Sequence, residues 1–263
     1  MIGFCPLASG SKGNCIFVGT KTTRVLIDAG LSVLELTNRL RQIDVDISSI
    51  QAVLVTHEHS DHIKGLKTLA ARFGIAVLTN AETAKGISAV LGVKLRYKLF
   101  TTGEPFVFGD LEVHPFSISH DTLDPVAFTI VHDGLKMGFC TDLGFATSLV
   151  KKHLEKCDYL YLEANHQPSM VYASARPEIL KQRILGRQGH LSNEDCARLI
   201  VAVWHEGLKH VHLAHLSREC NTDEVALQVV GNFLQEQGIA VPLSIAHQEE
   251  ISQAISFHSN MVY

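Results

Sequence analysis

Along most of the chain, short runs of apolar and β-branched residues alternate with stretches in which apolar positions recur every three or four residues. The first clear run, 24–28 (RVLID), predicts a strand that ends just before Gly30. Ser32 then opens an amphipathic helix, with Glu35 three residues on as in a capping box and Val33, Leu36, Leu40 and Ile43 along one face. Residues 52–56 (AVLVT) are almost uniformly apolar, the pattern of a strand covered on both faces. A helix is predicted over 63–73, stopped by Gly74, then a strand over 75–79 and a helix over 81–91. From 94 to 140 the chain reads as consecutive strands, with turn signals at Gly109-Asp110 and Asp133-Gly134. The alternation then resumes with a helix to about 157, a strand over 159–162, helices after Pro177 and from Asn193, a strand over 209–213, a helix from Asp223 and a late strand near Val241.

Helices interspersed with a strand meander suit a layered α/β or α+β sandwich. A doubly wound sheet fits less well, because at least three hairpin-linked strands sit in mid-chain. With no linker, low-complexity tract or internal repeat, residues 1–263 read as a single domain.

Composition narrows the class. The chain is 46% hydrophobic and 19% charged, which excludes disorder and supplies a sizeable core. Its N-terminus lacks a basic and apolar leader, and no stretch approaches the roughly 20 apolar residues that cross a bilayer. Six cysteines without a Cys-x-x-Cys pair read as reduced, buried thiols, and the expected location is cytoplasmic. A net charge of −4 gives no global pull towards nucleic acid, so any such contact needs a local basic surface. The oligomeric state is open, a homodimer included. Fifteen histidines are the anomaly, since imidazole is the commonest metal ligand among side chains.

Their placement carries the chemistry. Thr56-His57-Glu58-His59-Ser60-Asp61-His62 follows directly on the buried strand 52–56. Three histidines and an aspartate where a strand turns into a helix aim several donors into one cleft. Imidazole with carboxylate suits zinc, manganese or iron, whereas magnesium and calcium want more oxygen.

His-x-His-x-Asp-His after a strand resembles the signature of the metallo-β-lactamase superfamily, and further matches fall in order along the chain. They are Asp28 in LIDAG, His120 in SISHD, Asp142 in FCTDLG and His215 in LAHLS. The resemblance implies an α+β fold, the metallo-β-lactamase αββα sandwich, built as a single domain. It also implies two divalent metal ions, zinc or manganese with iron also compatible. One ion would take His57, His59 and His120, and the other Asp61, His62 and His215. Asp142 and a hydroxide would span both, and Asp28 would support the ligands from behind. His114 and His212 lie near His120 and His215 and compete for those places. His120 is preferred because it follows its strand and is trailed by Asp121; His210 and His212 read as surface or satisfied histidines.

Three more segments bear on the substrate. Ala8–Cys15 (ASGSKGNC) puts Ser9, Ser11 and Asn14 in a glycine-rich stretch whose N–H groups suit a phosphate, a plain hairpin loop being the competing reading. In GHLSNED, Ser192 and Asp195 form a capping-box variant that places His190 just before a helix N-terminus, a natural anion site. Arg176, Lys181, Arg183 and Arg187 face one acid, Glu178, over 176–187, which suits a nucleic-acid backbone or merely a solvated helix face.

GHLSNED resembles the histidine-bearing loop of tRNase Z and related nucleases. Glu163, in Leu162-Glu163-Ala164-Asn165, matches the glutamate that would orient His190, although Leu162 stands where that branch has histidine. Taken together, SGSKGN, THEHSDHIKG, SHD, GHLSNED and LAHLS are similar to the YycJ/WalJ group, bacterial DNA exonucleases within the superfamily. The spacing from Asp142 to His215 leaves no room for the inserted domain of β-CASP nucleases. The resemblance implies a phosphodiesterase acting on nucleic acid, DNA ahead of RNA, with Asp61, His190 and Glu163 as the catalytic set. Ser9, Ser11, Asn14, Ser192, Arg183 and Arg187 are the expected phosphate contacts, and no membrane partner is expected. Hydrolysis of a small ester, thioester or phosphodiester on the same fold is the alternative. A scaffold that has lost catalysis fits poorly with a full ligand set. A redox di-iron centre would carry Glu at the position of His59 and a flavin module.

Overall fold

The computed structural model describes residues 1–257. The chain forms two compact units, one of Met1–Val113, Thr122–Asp124 and the chain from Ala246 onward, the other of His114–Asp121 and Pro125–Ile245. Among the described residues no helix is long and apolar enough to cross a membrane.

The first unit opens on antiparallel β1 (Gly3–Ala8), β2 (Cys15–Gly19) and β3 (Arg24–Ile27). Helix α1 (Val33–Arg41), β4 (Ala52–Leu54), α2 (Ser60–Ile63) and α3 (Leu66–Phe73) follow. Next come β5 (Ala76–Thr79), α4 (Ala81–Leu91) and the edge strand β6 (Tyr97–Leu99). β3, β4, β5 and β6 are parallel, each to the next. Strand β7 (Phe106–Phe108) pairs with the start of β8 (Leu111–Ser117), along which the chain passes into the second unit.

There, β9 (Val126–His132) and β10 (Leu135–Cys140) form a hairpin whose turn residues Asp133 and Gly134 have φ of 47° and 79°, the two positive values a tight hairpin of this kind needs. Helix α5 (Ser148–Leu154), β11 (Tyr159–Glu163), α6 (Pro168–Ala173), α7 (Glu178–Leu185) and α8 (Asn193–Val203) come next. They lead to β12 (His210–Ala214), α9 (Asp223–Glu236) and β13 (Leu243–Ile245). β10, β11, β12 and β13 are parallel in that order. Strand β14 (Ile255–Ser256) returns to the first unit beside β1.

Local chemistry explains the elements. Ser32 caps α1 by accepting from Glu35 N at 3.2 Å, and Leu36 and Leu40 are fully buried, worth about 1.5–3 kcal/mol each. The expected helix over 63–73 is α3, which starts at Leu66, with the short α2 (Ser60–Ile63) ahead of it. Gly65 separates them because a Cβ there would lie 2.7 Å from Leu31 O, and its N–H is donated to Ala29 O at 2.7 Å. β6 joins β5 in parallel through α4, so the meander is shorter than its sequence pattern suggests. Each unit has its own apolar core, around Phe17, Leu26 and Val53 in the first and around Phe116, Leu162 and Leu213 in the second. All six cysteines are buried and form no disulfide, and burial pushes the Cys5 and Cys157 thiols up to about 12.

Candidate metal centre

Functional side chains gather where parallel strands end. In the first unit β3 delivers Asp28, and β4, its parallel neighbour, delivers Thr56 and His57. Asp28 Oδ1 accepts from Thr56 N at 2.9 Å, while Oδ2 accepts from Thr56 Oγ1 at 2.8 Å and lies 2.8 Å from His62 Nδ1. An aspartate accepts only, so His62 carries its proton on Nδ1 and keeps a lone pair on Nε2. The Thr56 hydroxyl has spent its hydrogen on Asp28. Its oxygen therefore accepts from His57 Nδ1 at 2.9 Å, which leaves His57 Nε2 as a donor of electrons too. His57 Nε2 and His59 Nδ1 are 3.2 Å apart. Two imidazole nitrogens on one tetrahedral zinc, at about 2.05 Å each, would lie about 3.3 Å apart, so this pair fits a shared cation.

Asn14 completes this cluster. Its Nδ2 is 3.2 Å from Asp61 Oδ2 and 3.0 Å from His62 Nε2, and its Oδ1 accepts from Gly10 N at 2.8 Å. Asn14 N donates to Asp61 O at 2.7 Å, and Gly30 N to Asn14 O at 2.9 Å. Gly30 cannot be anything larger in this backbone, because a Cβ would lie 1.6 Å from Asp61 O. Ser9 and Asn14 are buried, and Ser11 is exposed.

In the second unit the register Cys140↔Leu162↔Leu213 brings Asp142, Glu163 and His215 to the carboxyl ends of β10, β11 and β12. Donor atoms of Asp142, Glu163, His190 and His215 lie within 4.8 Å of one another. Glu163 is fully buried, and its Oε1 is 2.8 Å from His190 Nδ1 and 2.9 Å from His215 Nδ1. Its Oε2 accepts from Leu143 N and Leu191 N, both at 3.0 Å. Burial pushes this carboxyl up, but the charge and hydrogen bond of His190 and those of His215 outweigh it and hold Glu163 below the usual range. One carboxylate thus fixes the same tautomer on two histidines, each with Nε2 left over. His215 Nδ1 is also 3.3 Å from Asp142 Oδ1. His120 follows β8, points Nδ1 at Gly189 O at 3.3 Å, and has Nε2 3.9 Å from Asp142 Oδ1. Burial lowers its pKa against the pull of Asp142.

The rivals lie elsewhere. The His114 ring sits 4.5 Å from that of His153, and His210 Nε2 is 2.8 Å from Ser244 Oγ. His212 is buried rather than at the surface. Ser192 caps α8, accepting from Asp195 N at 3.1 Å, and His190 Cα precedes that helix start. Of the expected basic patch, Arg183 pairs with Asp121 at 2.6 Å, Arg176 pairs with Glu219 at 2.9 Å, and Arg187 stacks over Phe145 at 4.1 Å.

Six described non-glycine residues have positive φ, and Asp28, Asp142 and His215 are three of them, at 59°, 58° and 54°. Left-handed backbone in a residue with a Cβ persists where the surroundings over-determine it, and such residues cluster at functional sites. Two more residues carry no obvious signal in the sequence. Buried Glu58 accepts from Leu123 N at 3.0 Å, and His166 is buried with no hydrogen bond to either ring nitrogen.

The "Beta-lactamase superfamily domain" family matches residues 23–213. The chain belongs to the metallo-β-lactamase superfamily. Its fold is the α+β metallo-β-lactamase fold with two mixed sheets. The exodeoxyribonuclease YycJ of Bacillus anthracis is 36% identical over 240 residues, covering 90% of this chain and 91% of that one. The exodeoxyribonuclease WalJ of Streptococcus pneumoniae is 34% identical over 239 residues, 89% of each chain. Among solved structures, the metallo-β-lactamase fold protein YhfI from Bacillus subtilis has a TM-score of 0.72 at 13% identity, covering 95% of this chain and 98% of that one, a likeness of fold. Superfamily membership accounts for the donors: a histidine and carboxylate set with tautomers already chosen binds divalent metal.

Proposed function

We propose that this chain is a metal-dependent phosphodiesterase that works as an exonuclease-like nuclease on DNA. The observation that carries the reading is the double grip of Glu163 Oε1 on His190 and His215. It ties a histidine of metal-ligand type to a half-buried histidine that can serve the leaving group. The near full-length similarity to YycJ and WalJ, named as exodeoxyribonucleases, supports DNA as the polymer. The family match spans residues from both compact units, which supports residues 1–263 acting as one hydrolase domain.

By the superfamily pattern, His57, His59 and His120 would hold one divalent ion and Asp61, His62 and His215 the other, with Asp142 shared. Zinc and manganese both suit this donor set. When bound, the ions supply Lewis acidity and make water a nucleophile near neutral pH. The protein's own part is orientation and proton movement. Asp28 holds His62 with its lone pair forward, and Asn14 steadies Asp61. His190, held through Nδ1 by Glu163, would present Nε2 to the scissile phosphate. As the doubly protonated imidazolium, whose charge the buried Glu163 carboxylate balances, it would pass its Nε2 proton to the departing oxygen and return to the neutral Nδ1–H form. Ser11, Arg183 and Arg187 are read as outer phosphate contacts, whereas Ser9 is buried and the Ser192 hydroxyl caps α8. A cytoplasmic location fits this reading, with the oligomeric state open and a homodimer included.

His190→Ala tests it. Metal content is expected to stay at the wild-type level while turnover of a DNA substrate falls by about 10²-fold or more. Unchanged turnover removes the role of His190. A wild-type protein that cleaves thioesters but no phosphodiester replaces the reading with the small-molecule alternative.

A further inference from the structure

Strands β4, β5 and β6 are parallel and in register at Leu54↔Leu78↔Lys98. His57 lies three residues beyond Leu54 and Phe100 two beyond Lys98, so both stand at the carboxyl ends of their strands. With neighbouring strands about 4.8 Å apart, the end of β6 is about 10 Å along that rim from the end of β4. There the chain opens a groove of about 400 Å³, walled by Phe100, Phe106 and Phe108 with Lys98 and Thr101 at its side.

The walls have the chemistry of a stacking platform. Phe100 and Phe106 are stacked, with centroids 5.4 Å apart and planes within 13°. Lys98 Nζ lies 5.7 Å over the Phe108 ring. All three rings are half-buried, so they are held in place while part of each stays exposed at the groove. Leu99 and Val107 beside them are 62% and 73% exposed, an unusual apolar display for an edge strand. Leading into β6, exposed Lys94, Arg96 and Lys98 alternate with less exposed Val93, Leu95 and Tyr97. Three exposed cations in five residues, in a chain of net charge −4, make this edge locally basic. Glu104 is the acid among the lining residues, so a polyanion would run along the Lys98 side.

We propose that this groove is a subsite for an unpaired base of a single-stranded nucleic acid. The base stacks on Phe100 and Phe106, and Lys98, Arg96 and Lys94 hold the adjoining phosphates. An aromatic face accepts any base, so the subsite grips strand without reading sequence. Its place on the rim that bears His57 sets the grip a short distance from the bond to be cut. The choice of polymer rests on the nuclease reading above, whereas the groove and its charge do not.

The test uses the full chain in EDTA with an octadeoxynucleotide carrying one 2-aminopurine, whose emission is quenched by stacking. Wild-type protein is expected to quench it saturably. Phe100→Ala and Phe106→Ala should weaken binding by on the order of 10- to 100-fold and abolish the quenching. Lys98→Glu, at an exposed position, should weaken binding and flatten its salt dependence. A blunt duplex carrying the same base should not be quenched. Equal quenching by duplex, or quenching that survives in all three variants, overturns the proposal. So does unquenched wild-type binding together with a dimer, seen by light scattering, that Lys98→Glu dissociates; the patch is then a subunit interface. Hydrolysis of bis(p-nitrophenyl) phosphate by metal-loaded wild type separates the two readings. Hydrolysis without base quenching sinks the subsite alone, and quenching without any phosphodiester hydrolysis sinks the nuclease and leaves the subsite.

Discussion

Replacing Glu163 by glutamine changes one buried atom and leaves the molecule two ways to respond. The carboxylate accepts four hydrogen bonds, from two imidazole Nδ1 atoms and two backbone N–H groups, with no exposure to water. If the new amide NH2 faces Leu143 and Leu191, two buried backbone donors meet a donor. At about 1–3 kcal/mol for each orphaned group the loss is about 2–6 kcal/mol, a large part of a typical folding free energy. If the NH2 faces the rings instead, both histidines must move their protons to Nε2. Folding then survives, but His215 presents an N–H where a lone pair is wanted, and His190 loses the carboxylate that balances its protonated form. Urea denaturation in EDTA measures the first outcome. Nitrogen-detected NMR of the histidine tautomers, with metal titration and DNA turnover, measures the second. Should E163Q keep its stability within about 1 kcal/mol, its Nδ1–H tautomers and its metal affinity, the double grip does not exist as described.

Wild-type stability in EDTA is expected to decline as pH falls below the usual 4.5 of a glutamate, because Glu163 binds its proton later when folded than when unfolded. Its contribution is present above that value, and E163Q should show a shallower decline by urea titration. A variant that is equally acid-sensitive contradicts the assignment. Asp28→Asn keeps a residue type that tolerates φ of 59° but sets an N–H against His62 Nδ1, so metal affinity should drop by about 10- to 100-fold in a chelator competition. Wild-type affinity there means that Asp28 does not choose the His62 tautomer. Gly30→Ala forces a Cβ to within 1.6 Å of Asp61 O and should lower stability by about 3 kcal/mol, read from thermal melts; an unshifted melt shows that the backbone yields.

The run 52–56, the 81–91 helix and the Ser32 and Ser192 caps were legible because local rules govern them: apolar run length, periodicity, and a hydroxyl three residues ahead of a backbone N–H. β1 and β2 were not, since a Pro6-bearing strand and a glycine-rich turn have no periodic signal until they pair. The break at Gly65 depends on Leu31 O, a partner 34 residues away, and so is invisible to a window of sequence. At the candidate centre, residue types and order suggested the donors, but the tautomers follow from Thr56 and Glu163, whose hydrogen bonds exist only in the folded chain. His166 has no motif to announce it. The rim groove was missed for a similar reason: Phe100, Phe106 and Phe108 look like ordinary strand aromatics until the fold lines one groove with all three.

The left-handed backbone at Asp28, Asp142 and His215 gives each of these positions two independent filters on substitution. Glycine and asparagine satisfy the dihedral filter and fail only the chemical one, whereas valine or isoleucine fails on dihedrals before its side chain matters. A saturation library scored once for soluble expression and once for bound metal should therefore split into separate classes at these three sites. At His59, half-buried and in ordinary extended backbone, the abundance score should be nearly flat across the same substitutions.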